Sequence, residues 1–152
     1  MTIRAARTYD APLIAELAAQ LGYPATRQQI ATRLAGIEAE PASRVLVAEN
    51  GEGRVIGWVH VAARAQLTED ACAEILGLVV DEAARGGGIG DSLVRAAEAW
   101  AQTTGCVQMR VRSRSERQRA HGFYERAGYA RVKTQLVLSK RFAERERLER
   151  KA

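Results

Sequence analysis

Four of the five positions from Gly86 to Gly90 are glycine, directly before a stretch of helical periodicity. Glycine is a poor helix former, so this density calls for a geometric reason. Successive backbone N–H groups in such a turn, with the unpaired amides and positive dipole end of the following helix, make a cradle for phosphate oxygens. A plain tight turn is the competing reading. Spacing separates the known phosphate loops. A P-loop requires Gly-Lys followed by Ser or Thr, and this loop has no lysine. A dinucleotide fingerprint requires a third glycine three residues after the second, where Asp91 or Leu93 stands. What fits is Arg-x-x-Gly-x-Gly over Arg85, Gly86, Gly87, Gly88, Ile89 and Gly90, after the apolar run Ile75 to Val80.

A second concentration is cationic. Between Arg110 and Arg131, seven arginines (110, 112, 114, 117, 119, 126 and 131) stand against Glu116 and Glu125, an excess of +5 that equals the net charge of the chain. An anionic partner is expected to meet this segment. Cys72 and Cys106 are far apart in sequence and have no cysteine neighbours, which excludes a CxxC redox pair and a sequence-local zinc site. No metal is expected, and both thiols read as small buried hydrophobes. His60 alternates with Trp58 on a strand face and is a candidate lining residue for a substrate pocket. Neither His60 nor His121 has a Ser or Cys placed by local sequence as a triad partner, so covalent catalysis has little support.

These residues are positioned by a chain of 152 residues, 47% apolar and 27% charged, which suits one ordinary folded domain. Apolar runs stay far below the ~20 residues that span a bilayer, and the polar start has no signal-peptide core, so the expected location is cytoplasmic. Thr2 to Ala6 reads as a strand. Asp10 then serves as N-cap to a helix carrying Leu13, Ile14, Leu17 and Leu21, and Thr26 with Gln29 opens a second helix as a capping box. Arg44 to Glu49 and Arg54 to Ala63 flank Asn50-Gly51-Glu52-Gly53 as a hairpin. Ala73 to Asp81 is a more continuously apolar strand that leads into the glycine loop and a helix ending at Gly105. Cys106 to Arg112 comes next as a strand, Arg117 to Ala127 as a helix, and Tyr129 to Lys140 as a last strand. Residues 141–152 form a charged tail after a single domain over 1–140. The order gives an α+β fold with a mostly antiparallel sheet, and doubly wound and barrel folds fit poorly.

The loop and the chain beyond it resemble the GNAT superfamily of acetyl-CoA-dependent N-acetyltransferases, whose pyrophosphate loop is Gln/Arg-x-x-Gly-x-Gly/Ala. The stretch Arg117 to Tyr129, with its Phe123-Tyr124 and Gly128-Tyr129 pairs, is similar to the family's downstream segment. The resemblance covers residues 2–140. Arg114 departs from it, standing where many members carry Asn. The resemblance implies a GNAT-like sheet of six to seven strands flanked by about four helices, with strands four and five splayed apart. It further implies acetyl-CoA as the cofactor, its arm lying in that gap against backbone at Leu78, Val79 and Val80.

The implied reaction moves acetyl to a primary amine by direct attack in a ternary complex, with small-molecule amines like those of aminoglycoside and aminoalkylphosphonate acetyltransferases favoured over peptides. A protonated amine is no nucleophile, so a base is required, and Glu74 resembles the position where related enzymes hold a carboxylate. Glu69 and Asp70 are nearby alternatives, and an exposed strand-end carboxylate is the bland one. Tyr124 matches the tyrosine whose hydroxyl faces the sulfur in many members. Arg117 is expected near the adenosine phosphates. Glu16, Glu38 and Glu40 are candidates to attract a cationic acceptor. Homodimers are frequent in that family, so a homodimer is the default expectation, with neither nucleic acid nor membrane as partner. The competing classes are a basic nucleic-acid-binding module, for which no helix-turn-helix or zinc-finger spacing appears, and a non-catalytic acyl-CoA sensor.

Overall fold

The structure is a computed structural model that describes residues 1–143. Of the expected tail at 141–152, residues 144–152 lie outside the described residues. The chain divides into two compact units, Met1–Arg112 and the segment from Ser113 on.

The first unit is one five-stranded sheet in the order β1-β2-β3-β4-β5, with β1 at Thr2–Ala5, β2 at Ser43–Glu49, β3 at Val55–Arg64, β4 at Cys72–Val80 and β5 at Gln108–Val111. The first three pairings are antiparallel and β4–β5 is parallel. Helices α1 (Ala11–Leu21) and α2 (Arg27–Glu38) join β1 to β2, and α3 (Ile89–Thr103) joins β4 to β5. Ile14, Leu17 and Leu34 from α1 and α2 pack with Val45, Val47, Trp58 and Val79 on one sheet face. Gly57 points to the other face, where a Cβ would stand 3.1 Å from Leu93 Cδ1 of α3. The sheet is thus covered on both sides, and Val47, Ala48, Val59 and Val61 have no exposed surface.

Local chemistry explains several boundaries. Thr26 Oγ1 accepts from the Gln29 amide at 3.1 Å while Gln29 Oε1 accepts from the Thr26 amide at 3.0 Å, the reciprocal cap expected at the start of α2. Asn50 Oδ1 accepts from the amides of Glu52 and Arg54, closing the β2–β3 turn. Asp10 differs from expectation. Its carboxylate does not cap α1 but accepts two bonds from the Arg4 guanidinium, at 2.8 and 2.9 Å, and one from the Arg7 amide at 2.7 Å. Burial opposes the charge of Asp10, and Arg4 and Arg7 outweigh it, leaving the carboxyl pKa below its ordinary value.

The second unit holds α4 (Gln118–Arg126) and an irregular segment. Phe123 and Tyr124 pack edge to face at 5.1 Å, as do Tyr124 and Tyr129 at 5.7 Å. The strand expected over Tyr129–Lys140 does not form: residues 129–143 have no regular structure, and Val132, Leu136, Val137 and Leu138 are exposed. The sheet therefore has five strands, not six to seven. Alternating apolar residues supply a face, but a strand also needs a neighbour to complete its backbone ladder.

Candidate active site

Strand β4 outruns its neighbour. Its pairing with β5 covers Cys72↔Gln108 to Ile75↔Val111 and then stops, while β4 continues to Val80. On the other side His60 pairs with Gly77 and Val61 with Ile75, so Leu76 is an extra residue that forms a bulge where β5 is lost. The Asp81 amide donates to Ile56 O at 2.8 Å, which places the alternate residues Val80 and Leu78 with their backbone groups turned away from β3. That is the side β5 leaves open. Arg85 Nε reaches back to Val80 O at 3.2 Å, tying the glycine loop to the strand end.

In the loop Gly86 and Gly88 have φ of +88° and +80°, the left-handed region that other residues enter at a cost. A Cβ at either would meet nothing within 4 Å, so backbone conformation and not crowding selects glycine there. The first intrahelical bond of α3 runs from Ser92 N to Gly88 O at 3.0 Å, which leaves the amides of Ile89, Gly90 and Asp91 ahead of the helical ladder. Asp91 pairs with Arg95 at 3.0 Å.

Glu74 is not an exposed strand-end carboxylate; it is 5% exposed. Arg112 Nε donates to its Oε1 at 2.5 Å, and Arg64 Nη2 stands 3.1 Å from its Oε2. Glu69, a nearby alternative, is engaged by both terminal nitrogens of Arg110 at 3.1 Å each. Register puts Arg64, Glu74 and Arg110 on the same sheet face as His60, whose Nε2 shares a 2.9 Å hydrogen bond with Ser43 Oγ. Burial lowers the His60 pKa, so the ring is neutral at pH 7. The arginine partners of Glu74 escaped the sequence reading. One signal was present, since Arg110 and Arg112 lie two apart along a strand and so share a face.

The first unit thus brings together Glu74, Leu78 to Val80 and Arg85 to Gly90. Tyr124 and Arg117 belong to the second unit. Burial pushes the Tyr124 phenol up to about 12, so it holds its proton at neutral pH. Arg117 is the half-buried residue preceding α4. Phe123, of the Phe-Tyr pair, is half-buried. Of the three acids near the helix pair, Glu16 forms an exposed ion pair with Arg54 at 3.4 Å. Glu38 and Glu40 share the lining of a cavity of about 380 Å³ with Arg7 and Arg44. Cys72 and Cys106 are free and buried. Among the described residues no helix is long and apolar enough to cross a membrane, and no group of three or more His, Cys, Asp or Glu could hold a metal.

A mostly antiparallel sheet that opens beside its fourth strand and delivers that strand through a glycine loop into a helix N-terminus is the architecture of the GNAT-like acyltransferase class. The sequence model of the Acetyltransferase (GNAT) family matches residues 12–129, and the chain belongs to that family. No curated protein sequence matches it. Among solved structures it is similar to one described as an acetyltransferase from Agrobacterium tumefaciens str. C58, with 27% identity and a TM-score of 0.82 over 92% of this chain and 100% of that one. A protein described as a transcriptional regulator from Bacillus halodurans C-125 matches at 26% identity and TM-score 0.82, covering 91% and 99%. The aminoglycoside N-acetyltransferase AAC(6')-Iy, bound to the bisubstrate analogue CoA-S-monomethyl-acetylneamine, shares the fold at 17% identity and TM-score 0.82, covering 93% and 98%.

Proposed function

We propose that this protein transfers acetyl from acetyl-CoA to the primary amine of a small molecule, by direct attack in a ternary complex, within one domain over residues 1–140 of a cytoplasmic protein. The observation that carries the reading is β4 running past the end of β5 and into the glycine loop. Open space at Gly86 and Gly88, and backbone at Leu78 and Val80 turned to the unpaired side, fit a ligand with a pyrophosphate and an amide-bearing arm. The same fold accommodates a CoA-derived ligand in AAC(6')-Iy. Arg85, the amides from Gly86 to Gly90 and Arg117 would hold the phosphates, and Leu78, Val79 and Val80 the arm.

When bound, acetyl-CoA supplies an acetyl group activated as a thioester. The Leu78 amide would be the donor for charge on the thioester carbonyl oxygen, a contribution of ~3–4 kcal/mol for such a group. Glu74 takes the amine proton, directly or through a water, because each carboxylate oxygen keeps a lone pair beyond its bond to arginine. On the family resemblance, Tyr124 would be the hydrogen-bond donor to the departing sulfur. A phenol near 12 is a weaker acid than a thiol near about 8.5, so its role is to stabilise the thiolate by hydrogen bonding and not to surrender its proton outright.

Thermal unfolding with and without acetyl-CoA tests the cofactor assignment. Saturation at 100 times Kd is expected to add about 2.7 kcal/mol of stability, lost in Gly88→Asp. No shift at millimolar acetyl-CoA would overturn the reading.

A further inference from the structure

Resting on the acetyltransferase reading, we propose that the acceptor is an amine that also carries an anionic group, a carboxylate or a phosphoryl group, and that Arg64 and Arg112 bind that group. The charge balance around Glu74 carries this. A buried carboxylate is neutralised by one guanidinium, and Glu74 has two, Arg112 on Oε1 and Arg64 on Oε2. Arg110, the third arginine on this face, donates both of its terminal nitrogens to Glu69, so Arg64 and Arg112 are the two guanidinium groups on Glu74. The surplus also faces water: the Glu74 side chain is 6% exposed, while those of Arg64 and Arg112 are 49% and 54% exposed.

Each arginine uses one nitrogen on Glu74 and, among the described residues, has no other partner, which leaves guanidinium N–H groups in the fork geometry that suits carboxylate and phosphate oxygens. The three strands β3, β4 and β5 set these groups side by side, since Ala62 pairs with Glu74 two residues before Arg64, and Glu74 pairs with Arg110 two residues before Arg112. The apolar cluster under α1 and α2 includes Val45, Trp58 and Val79 and does not extend to this end of the face. A polycationic acceptor would meet two like charges beside the carboxylate that is to receive its proton. An amine with its own anion matches them, and its amino group is directed toward Glu74. The acids near the helix pair do not reverse this balance, because Glu16 is paired with Arg54 and Glu38 and Glu40 share their cavity with Arg7 and Arg44.

The test is thiol release from acetyl-CoA with four matched acceptors: propylamine, 3-aminopropionate, 3-aminopropylphosphonate and 1,3-diaminopropane. The two anionic amines are expected to exceed the other two at least tenfold in kcat/KM, and the better of them identifies the anion. In Arg64→Gln and in Arg112→Gln the ratio of anionic to neutral amine is expected to fall at least tenfold, mainly through KM, with Arg64→Lys restoring part of it. Circular dichroism confirms that each variant is folded. A preference for propylamine or the diamine, or an equal loss on all acceptors in the variants, would overturn the inference. If acetyl-CoA stabilises the protein but none of the four turns over, calorimetry of 3-aminopropionate and 3-aminopropylphosphonate in the presence of CoA decides, and absence of binding again overturns it. Absence of stabilisation by acetyl-CoA overturns the acetyltransferase reading instead, so the two failures are distinct.

Discussion

At the scale of single residues, the roles proposed for Glu74 and Tyr124 depend on burial. Glu74 would be an ordinary strand-end acid were it exposed; at 5% exposure it is held by Arg64 and Arg112. Glu74→Gln keeps the shape and removes the proposed base, so kcat is expected to fall by about 10²-fold or more while acetyl-CoA still stabilises the fold. An unchanged kcat in steady-state assays would remove Glu74 from the role. Tyr124→Phe tests the proposed hydrogen bond to a charged sulfur, worth about 2 kcal/mol, or roughly thirtyfold in kcat. Its phenol also offers a direct observable. The difference in absorbance at 295 nm between wild type and Tyr124→Phe is expected to titrate with a midpoint near pH 12, because burial disfavours the phenolate. A midpoint near 10 would mean the ring is solvated.

At the scale of elements, β4 and α3 approach β3 closely enough at Gly57 that a side chain there would press on both. A Cβ there would lie 3.0 Å from Val79 O, 3.1 Å from Leu93 Cδ1 and 3.5 Å from Ile89 Cγ2. Ile89 opens α3 and Val79 precedes the end of β4, so pressure at Gly57 is transmitted to both sides of the glycine loop. Gly57→Val is expected to cost about 1–3 kcal/mol in urea unfolding and to weaken acetyl-CoA binding together with stability. Loss of stability with unaltered affinity would show that the loop is positioned independently of this contact. The loop itself was readable in advance, because positive φ at Gly86 and Gly88 is a local demand met by residue type. The last strand was not, since the period of Val132, Leu136 and Leu138 records a face and says nothing about whether a neighbouring strand completes the ladder.

At the scale of the whole molecule, the Arg4–Asp10 ion pair, with Glu49 3.4 Å from Arg4, joins β1, the turn before α1 and the end of β2. The folded Asp10 carboxyl lies below its unfolded value, so the stability it contributes is present above about pH 4 and is lost as pH falls toward the folded pKa. Asp10→Asn is expected to lose about 3 kcal/mol at pH 7, and the gap from wild type to narrow below pH 4. A gap that stays constant from pH 7 to pH 3 in denaturant titrations would refute this. The sequence by itself determined the order of elements through α4, the helix cap at Thr26, the hairpin turn at Asn50 and the glycine loop, because each depends on residues within a few positions of one another. Only the tertiary structure decided the rest. That β4 outlasts β5, that Asp10 pairs with Arg4 instead of capping α1, and that Glu74 is buried between Arg64 and Arg112 are consequences of strand register, and register brings charges together across a sheet from positions whose separation in the chain gives no hint of contact.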